Sequence, residues 1–392
     1  MTTSKFLGSI LIIVGTSIGG GMLALPVATA GGGFLYSALA FIICWILMTS
    51  GAYLILNILQ PHPIGSNMIS LARFYLGKPG ELAVWLLFLT FLYSLLGAYI
   101  SGGTDVVSNL LGQFNINLHP SLVSLIYTLS FSLIIYSGIK WVDYINRFLM
   151  FGKLGIYILL IVVITPFIQW QHFAAGKLTQ LIPHLSILIT SFGFASIVPS
   201  LRDYWHNDIK TLKRIIFWGS AIPLVCYLIW NFVIMGAISP TAPNNLLSLM
   251  NSDHAISGLG KGLSQTTHNQ FILSLFDFFS SICMLTAFLN VSLGLFDFIA
   301  DGFHLDKRGK QGKITLALTF IPPLSIVIIK PGIYLSALNY AGILCVLLLL
   351  ILPIILHWKA KKSRPLDTKH NLSLVILFTA AIMSIILPKM MS

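Results

Sequence analysis

The chain has 392 residues, of which 56% are hydrophobic and only 9% charged, with a mean hydropathy of +0.90. No water-soluble domain of this size carries that composition, so the chain is an integral membrane protein. Its net charge of +12 would suit nucleic acid, but its distribution assigns it to anionic lipid head groups, and no nucleic-acid partner is expected.

A membrane span needs roughly 20 apolar residues. Eleven runs qualify, at 6–30, 34–59, 81–111, 121–139, 147–168, 184–201, 213–238, 269–299, 313–329, 332–356 and 371–388. Their connections are short, which predicts a single all-α membrane domain over 1–392 with no soluble appendage. A transmembrane β-barrel would need short alternating segments instead, and is excluded. With the N-terminus in the cytoplasm, 19 of the 23 Lys and Arg residues fall inside, Lys153 among them, and only Lys177, Lys261, Lys330 and Lys389 fall outside. That asymmetry follows the positive-inside rule and puts the C-terminus on the outer, periplasmic side. The four cysteines lie in apolar runs at unrelated spacings and read as small buried hydrophobes. They form no metal or disulfide framework.

The first run contains Gly15-Thr16-Ser17-Ile18-Gly19-Gly20-Gly21-Met22-Leu23-Ala24-Leu25-Pro26, with four glycines and a proline in twelve residues. A lipid-exposed helix must satisfy its backbone internally, so such a break belongs where freed amides and carbonyls line a cavity. Lys5, the apolar run and Ala28-Thr29-Ala30 resemble a cleavable signal peptide, but the glycines interrupt its core. The second run is packing. Residues 66–76 then predict a short helix at the cytoplasmic surface.

In the third run Tyr93 and Gly97 are an i, i+4 pair near the midpoint. Two readings of Tyr93 stand: a ring closing over a substrate, or a packed ring with its hydroxyl on a neighbour's carbonyl. Asp105, near the outer end, is either solvated or part of the transport path. Lys153, six residues beyond Arg147, lies about 9 Å along a helix starting there. It either snorkels to the interface or is an amine buried against the first run.

The sixth run reads Thr190-Ser191-Phe192-Gly193-Phe194-Ala195-Ser196-Ile197-Val198-Pro199, sharing T-S-x-G and a following proline with the first. The two lie five crossings apart and so run in opposite directions. A pair of interrupted spans at corresponding places in two halves points to an inverted repeat and its binding site. The seventh run holds Pro223 and nothing else of note, and the long loop 239–268 covers the outer side. In the eighth run Asp277 is interfacial, and Asp297 and Asp301 pair with the basic loop that follows. Asn290 and Ser292 face either an ion or a neighbouring helix. No histidine falls clearly mid-span, which argues against a histidine relay.

Gly15-Thr16-x-Ile18-Gly19-x-Gly21-Met22-Leu23-x-Leu25-Pro26, Ala98-Tyr99-Ile100-Ser101-Gly102, Asn146-Arg147-Phe148-Leu149, Thr190-Ser191-Phe192-Gly193-Phe194 and Gly294-Leu295-Phe296-Asp297 together resemble the hydroxy and aromatic amino acid permease family of bacteria. Within it they are most similar to the tyrosine-transporting branch, and the resemblance covers nearly the whole chain. It implies eleven transmembrane helices in a LeuT-like five-plus-five inverted repeat, at about 6–168 and 184–356, with an extra helix at about 371–388. It also implies uptake of an aromatic amino acid by proton symport across the inner membrane, without a cofactor.

Carried over by position, Gly15 to Met22 would line the substrate, the Thr16 to Gly21 backbone binding its carboxylate at the start of the second half-helix. Carbonyls at the end of the first half-helix and around Ser191, Phe192 and Gly193 would take the ammonium. Phe194, Tyr93 and Gly97 would enclose the ring. Lys153 stands where the family pattern has a lysine, and burial there would make its proton exchangeable. Asn290, Ser292 and Asp105 are further coupling candidates, the first two with sodium as the alternative ion. Ala195 departs from the tyrosine pattern, which has histidine there. The rival readings are a sodium symporter and a non-transporting amino acid sensor. No nucleophile, acid and base converge at one depth, so an enzyme is not expected.

Overall fold

A computed structural model describes residues 2–137, 139–173, 176–238, 245–250, 252–361 and 368–391. Lys362, Arg364 and residues 239–244 of the long outer loop lie outside the described residues, as do the side chains of Lys140, Asn146, Arg147, Lys361, Lys369 and Lys389. Among the described residues every regular element is helical. Nine segments are long and apolar enough to cross a membrane, and two shorter apolar helices, Ser4–Ser17 and Val375–Leu387, stand beside them. The sequence divides the same ground into eleven. The counts part at both ends of the chain: the break in the first run leaves one half too short to qualify and joins the other to the second run as Gly20–Leu59, and in the last run only the shorter Val375–Leu387 is found among the described residues.

The first run folds as α1 (Thr2–Ser17) and α2 (Gly20–Ala28), separated at Gly19, whose backbone is extended at φ −152° and ψ −149°. A Cβ added at Gly20 would lie 2.7 Å from Cε1 of Tyr99, so a side chain there would have to displace an aromatic ring. Helix α3 (Gly33–Leu59) follows a tight turn. Asn67 then opens α4 (Met68–Gln113) with a capping box, accepting from the Ile69 and Ser70 amides while Ser70 accepts from its own. Gly77 sits inside α4 at φ 73° and ψ −168°, two residues before Pro79. That left-handed residue separates the expected short helix from the long span after it.

Helices α5 (Pro120–Ser137) and α6 (Ile139–Ile164) complete the first half. The sixth run is interrupted like the first: α7 (Leu185–Ser191) gives way to a 3₁₀ stretch, Gly193–Ile197, before α8 (Val198–Tyr204). Helix α9 (Ile209–Ala237), the shorter α10 (Ala255–Thr267) and α11 (Gln270–Gly302) come next. Then follow α12 (Gly309–Ile329), α13 (Tyr334–Val346), α14 (Leu352–Lys361) and α15 (Thr368–Met391). The core is aromatic and aliphatic, but Lys153, Arg202 and Tyr227 rank among its largest fully buried side chains. Buried charge and hydroxyl are costly without partners, and their partners lie at the two breaks and at one mouth of the bundle.

Candidate binding site at two broken helices

An interrupted helix leaves carbonyls unpaired at the end of its first half and amides unpaired at the start of its second. In the first run the carbonyls of Ser17 and Ile18, where α1 ends, and that of Gly20, the first residue of α2, find side chains from three other helices. The Tyr227 hydroxyl on α9 donates to the Ser17 carbonyl at 2.6 Å, Lys153 Nζ on α6 to Ile18 at 2.5 Å, and the Tyr334 hydroxyl on α13 to Gly20 at 2.5 Å. The amides receive nothing comparable: no side chain caps the N-terminus of α2. Carbonyls are met by built-in donors, while a helix N-terminus with its positive dipole end stands open, which suits an anionic group.

The second break packs on the first. A Cβ on Gly21 would sit 3.2 Å from Ser191 Oγ, and the same Tyr227 hydroxyl lies 2.8 Å from the Ser191 carbonyl. Phe192 rests edge-on against the Tyr227 ring, centroids 5.1 Å apart. Phe192, Phe194 and Ala195 are fully buried, as is Met22. Gly193 lies beside Cys345, where a Cβ would meet Sγ at 3.4 Å. Ser17 Oγ is buried at the break with no hydrogen-bond partner among the described residues. Thr16 points the other way, exposed, its hydroxyl donating back to the Ile12 carbonyl at 2.8 Å. Gly15 abuts Met150, whose Cε would lie 3.0 Å from an added Cβ.

Lys153 is 1% exposed. The sequence starts its helix at Arg147, because 139–147 is polar enough to read as a loop, yet α6 begins at Ile139. Fourteen residues into α6, Lys153 lies about 21 Å along the axis. It does not snorkel and does not belong with the loop cations. Asp105 is likewise not solvated. It is 7% exposed and accepts from His254 Nδ1 at 3.1 Å, from the Ile256 and Ser257 amides at 3.1 and 3.0 Å, and from Ser257 Oγ at 2.6 Å. Four donors at the start of α10 thus converge on one carboxylate of α4.

Tyr93 faces α12. Pro322 has no N–H, so the Leu318 carbonyl one turn earlier lacks its helical donor, and the Tyr93 hydroxyl supplies one at 2.7 Å. Gly97, one turn on, faces Ile333, whose Cδ1 would lie 4.0 Å from an added Cβ. Ser292 Oγ is buried with no partner among the described residues, and Asn290 is exposed. Asp277 is held by the side-chain amides of Gln113 at 2.8 Å and Asn109 at 3.2 Å. Asp297 and Asp301 reach Lys307 at 2.8 and 3.5 Å, the pairing expected with the following loop.

Three residues at the break escaped the sequence reading: Tyr227, Tyr334 and Tyr99. Tyr227 is the one tyrosine of its apolar run, Tyr99 and Tyr334 share theirs with Tyr93 and Tyr340, and only the fold reveals which carbonyl or glycine each meets. A tyrosine deep in a span, next to a run already marked as broken, was the available signal.

Tyrosine-specific transport system 1 of Haemophilus influenzae is 32% identical, the match covering 98% of this chain and 96% of that protein. The tryptophan-specific transport protein of the same organism is 31% identical over 92% of this chain and 88% of its own length. Glutamine transporter 2 of Aliivibrio fischeri is 29% identical over 94% and 92%. These relatives carry amino acids rather than convert them, as the absence of converging catalytic groups in the sequence leads one to expect. The tryptophan/tyrosine permease family profile matches residues 2–388, and with near-complete coverage on both sides the chain belongs to that family of multi-pass membrane permeases.

Proposed function

We propose that the chain imports an aromatic amino acid, tyrosine first, by proton symport through alternating access around the two broken helices. The observation that carries this reading is the division of labour at the first break, with carbonyls engaged by donors and the α2 amides left open. The carboxylate of a zwitterionic amino acid matches the Gly19 to Gly21 amides, and its ammonium goes to the carbonyls near Ser17 and Ser191, which have a single donor between them. The names of the relatives, two for aromatic substrates and one for glutamine, support a large amino acid and leave the ring end of the site to select among them. Phe194, Gly97 and Tyr93 are the proposed ring contacts, Tyr93 through its ring because its hydroxyl is committed to α12.

The reading takes the eleven runs as eleven spans. It arranges them as a LeuT-like repeat of 6–168 and 184–356 with an added 371–388, in a bacterial inner membrane with the N-terminus cytoplasmic. Lys153 is the proposed proton carrier. Its amine holds the Ile18 carbonyl next to the substrate amides, so losing or gaining a proton there changes the hold on the break itself. The sodium alternative would use Ser292 and span 1 carbonyls. It is disfavoured because Lys153 already occupies one of those carbonyls.

Proteoliposome uptake of labelled tyrosine under an imposed pH gradient, with and without sodium, tests the proposal. Uptake that follows sodium and ignores the pH gradient overturns proton coupling. The Lys153→Ala protein is expected to exchange tyrosine yet to lose gradient-driven accumulation at least tenfold, and full accumulation would remove Lys153 from the mechanism.

A further inference from the structure

The Tyr227 hydroxyl lies 2.6 Å from the Ser17 carbonyl and 2.8 Å from the Ser191 carbonyl. A phenol carries one proton, so it serves one of these acceptors well at any moment, and the other is left short of a donor. Both carbonyls end a half-helix, where no helical amide reaches them. Both residues are buried, at 5% and 4% exposure, so the deficit falls where water does not readily make it good. Ser17 Oγ, buried at the same point without a partner, adds a further unmet polar atom. Two carbonyls thus converge on one shared proton, and this place is one donor short.

We infer that Tyr227 is a positioning residue that ties the ends of the two broken helices through one shared proton and leaves the second carbonyl to the α-ammonium of the substrate. The inference rests on the amino acid reading above and adds to it a residue that sets affinity for the amino group. An ammonium brings three donors to a place one donor short, so it can satisfy the carbonyl that the phenol leaves open. Tyr227 itself is held by packing. Its ring is fully buried, with Phe192 edge-on at 5.1 Å and Phe41 tilted at 6.3 Å. The hydroxyl therefore sets the spacing of the two carbonyls rather than following it.

The test is Tyr227→Phe, which keeps the ring and removes the shared proton. Equilibrium binding to purified protein in detergent is measured for tyrosine and for its analogue without the amino group, 3-(4-hydroxyphenyl)propionate. Thermal denaturation is followed in parallel to show that the variant is folded. Expected is a loss of about tenfold in affinity for tyrosine, the upper end for one hydrogen bond between neutral groups, with affinity for the deaminated analogue within twofold of wild type. The same loss is expected for tryptophan, because the amino group is common to both. Equal losses for tyrosine and the analogue would make Tyr227 a general scaffold residue and overturn the inference, as would unchanged tyrosine binding. Should Tyr227→Phe fail to fold, Tyr227→Trp, with a ring donor at a different reach, replaces it under the same criterion. If wild-type protein binds no amino acid, the functional reading fails, which is distinct from the variant matching wild type.

Discussion

At the α10 end of the breaks, one carboxylate holds everything. Asp105 takes two amides, a hydroxyl and an imidazole from His254 to Ser257. At the α8 end the work is spread over several groups. Lys5 donates to the Tyr204 carbonyl at 2.7 Å and lies over the Tyr204 and Trp205 rings, 4.3 and 4.5 Å from their centroids. Trp205 Nε1 donates to Ser9 Oγ at 2.9 Å. Arg202 holds the His62 and Pro63 carbonyls and the Asn207 side chain. In the proposed orientation these are the outer and inner mouths. Each uses the charge that suits the helix end it meets, an anion on an N-terminus and a cation on terminal carbonyls. They differ in redundancy, and redundancy decides what one substitution can do.

Asp105→Ala breaks the comparison hardest. It strips four donors of their acceptor, two of them amides belonging to buried residues, and is expected to cost about 3 kcal/mol, read as a lowered thermal midpoint in detergent. A cysteine introduced in the loop just before α10 should also label faster with a maleimide. A midpoint within a degree of wild type would show that α10 is held by packing alone.

Lys5→Ala removes one of several contacts at the opposite mouth. About 1 kcal/mol is expected, because the cation sits over one exposed and one half-buried ring and Arg202 and Trp205 keep their other partners. The comparison fails if Lys5→Ala destabilises as much as Asp105→Ala in the same assay.

The smallest effect belongs to pH. The hydrogen bond to Asp105 holds the His254 imidazole above its ordinary range, against the opposing effect of partial burial. A pKa raised on closure gives stabilisation that is complete below the ordinary imidazole value, about 6.5, and is lost as pH rises through the raised value. External acid should therefore favour the closed outer mouth. The side chain is 66% exposed, so screening keeps the effect to a few tenths of a kcal/mol. Maleimide labelling of the same cysteine between pH 5.5 and 8.5, divided at each pH by the rate of a fully exposed cysteine to remove the thiol's own titration, should rise modestly in wild type and stay flat in His254→Gln. A slope unchanged in the variant would remove His254 as its source.

The contrast also explains what could be read in advance. The first break is legible because glycines and a proline inside an apolar run violate the rule that a span satisfies its own backbone. Gly77 and Pro79, and the cap at Asn67, are legible because their geometry is local. Asp105 and Tyr227 are not, because their partners lie 152 and 210 residues away and nothing local marks which ones they meet. Of the two readings of Lys153, the fold selects the amine buried against the first run, and the sequence leaves the choice open for a different reason. The polar residues at 139–147 are helical, so composition placed a boundary where the backbone continues.

The Tyr93 contact with Leu318 has a mechanical side. A hydroxyl can rotate about its Cζ–O bond and keep facing a carbonyl while the two helices change their mutual tilt, which interlocked side chains cannot do. The proline that removes the amide from α12 thus leaves α4 and α12 joined there by a hydrogen bond whose donor can swivel, a pivot rather than a lock.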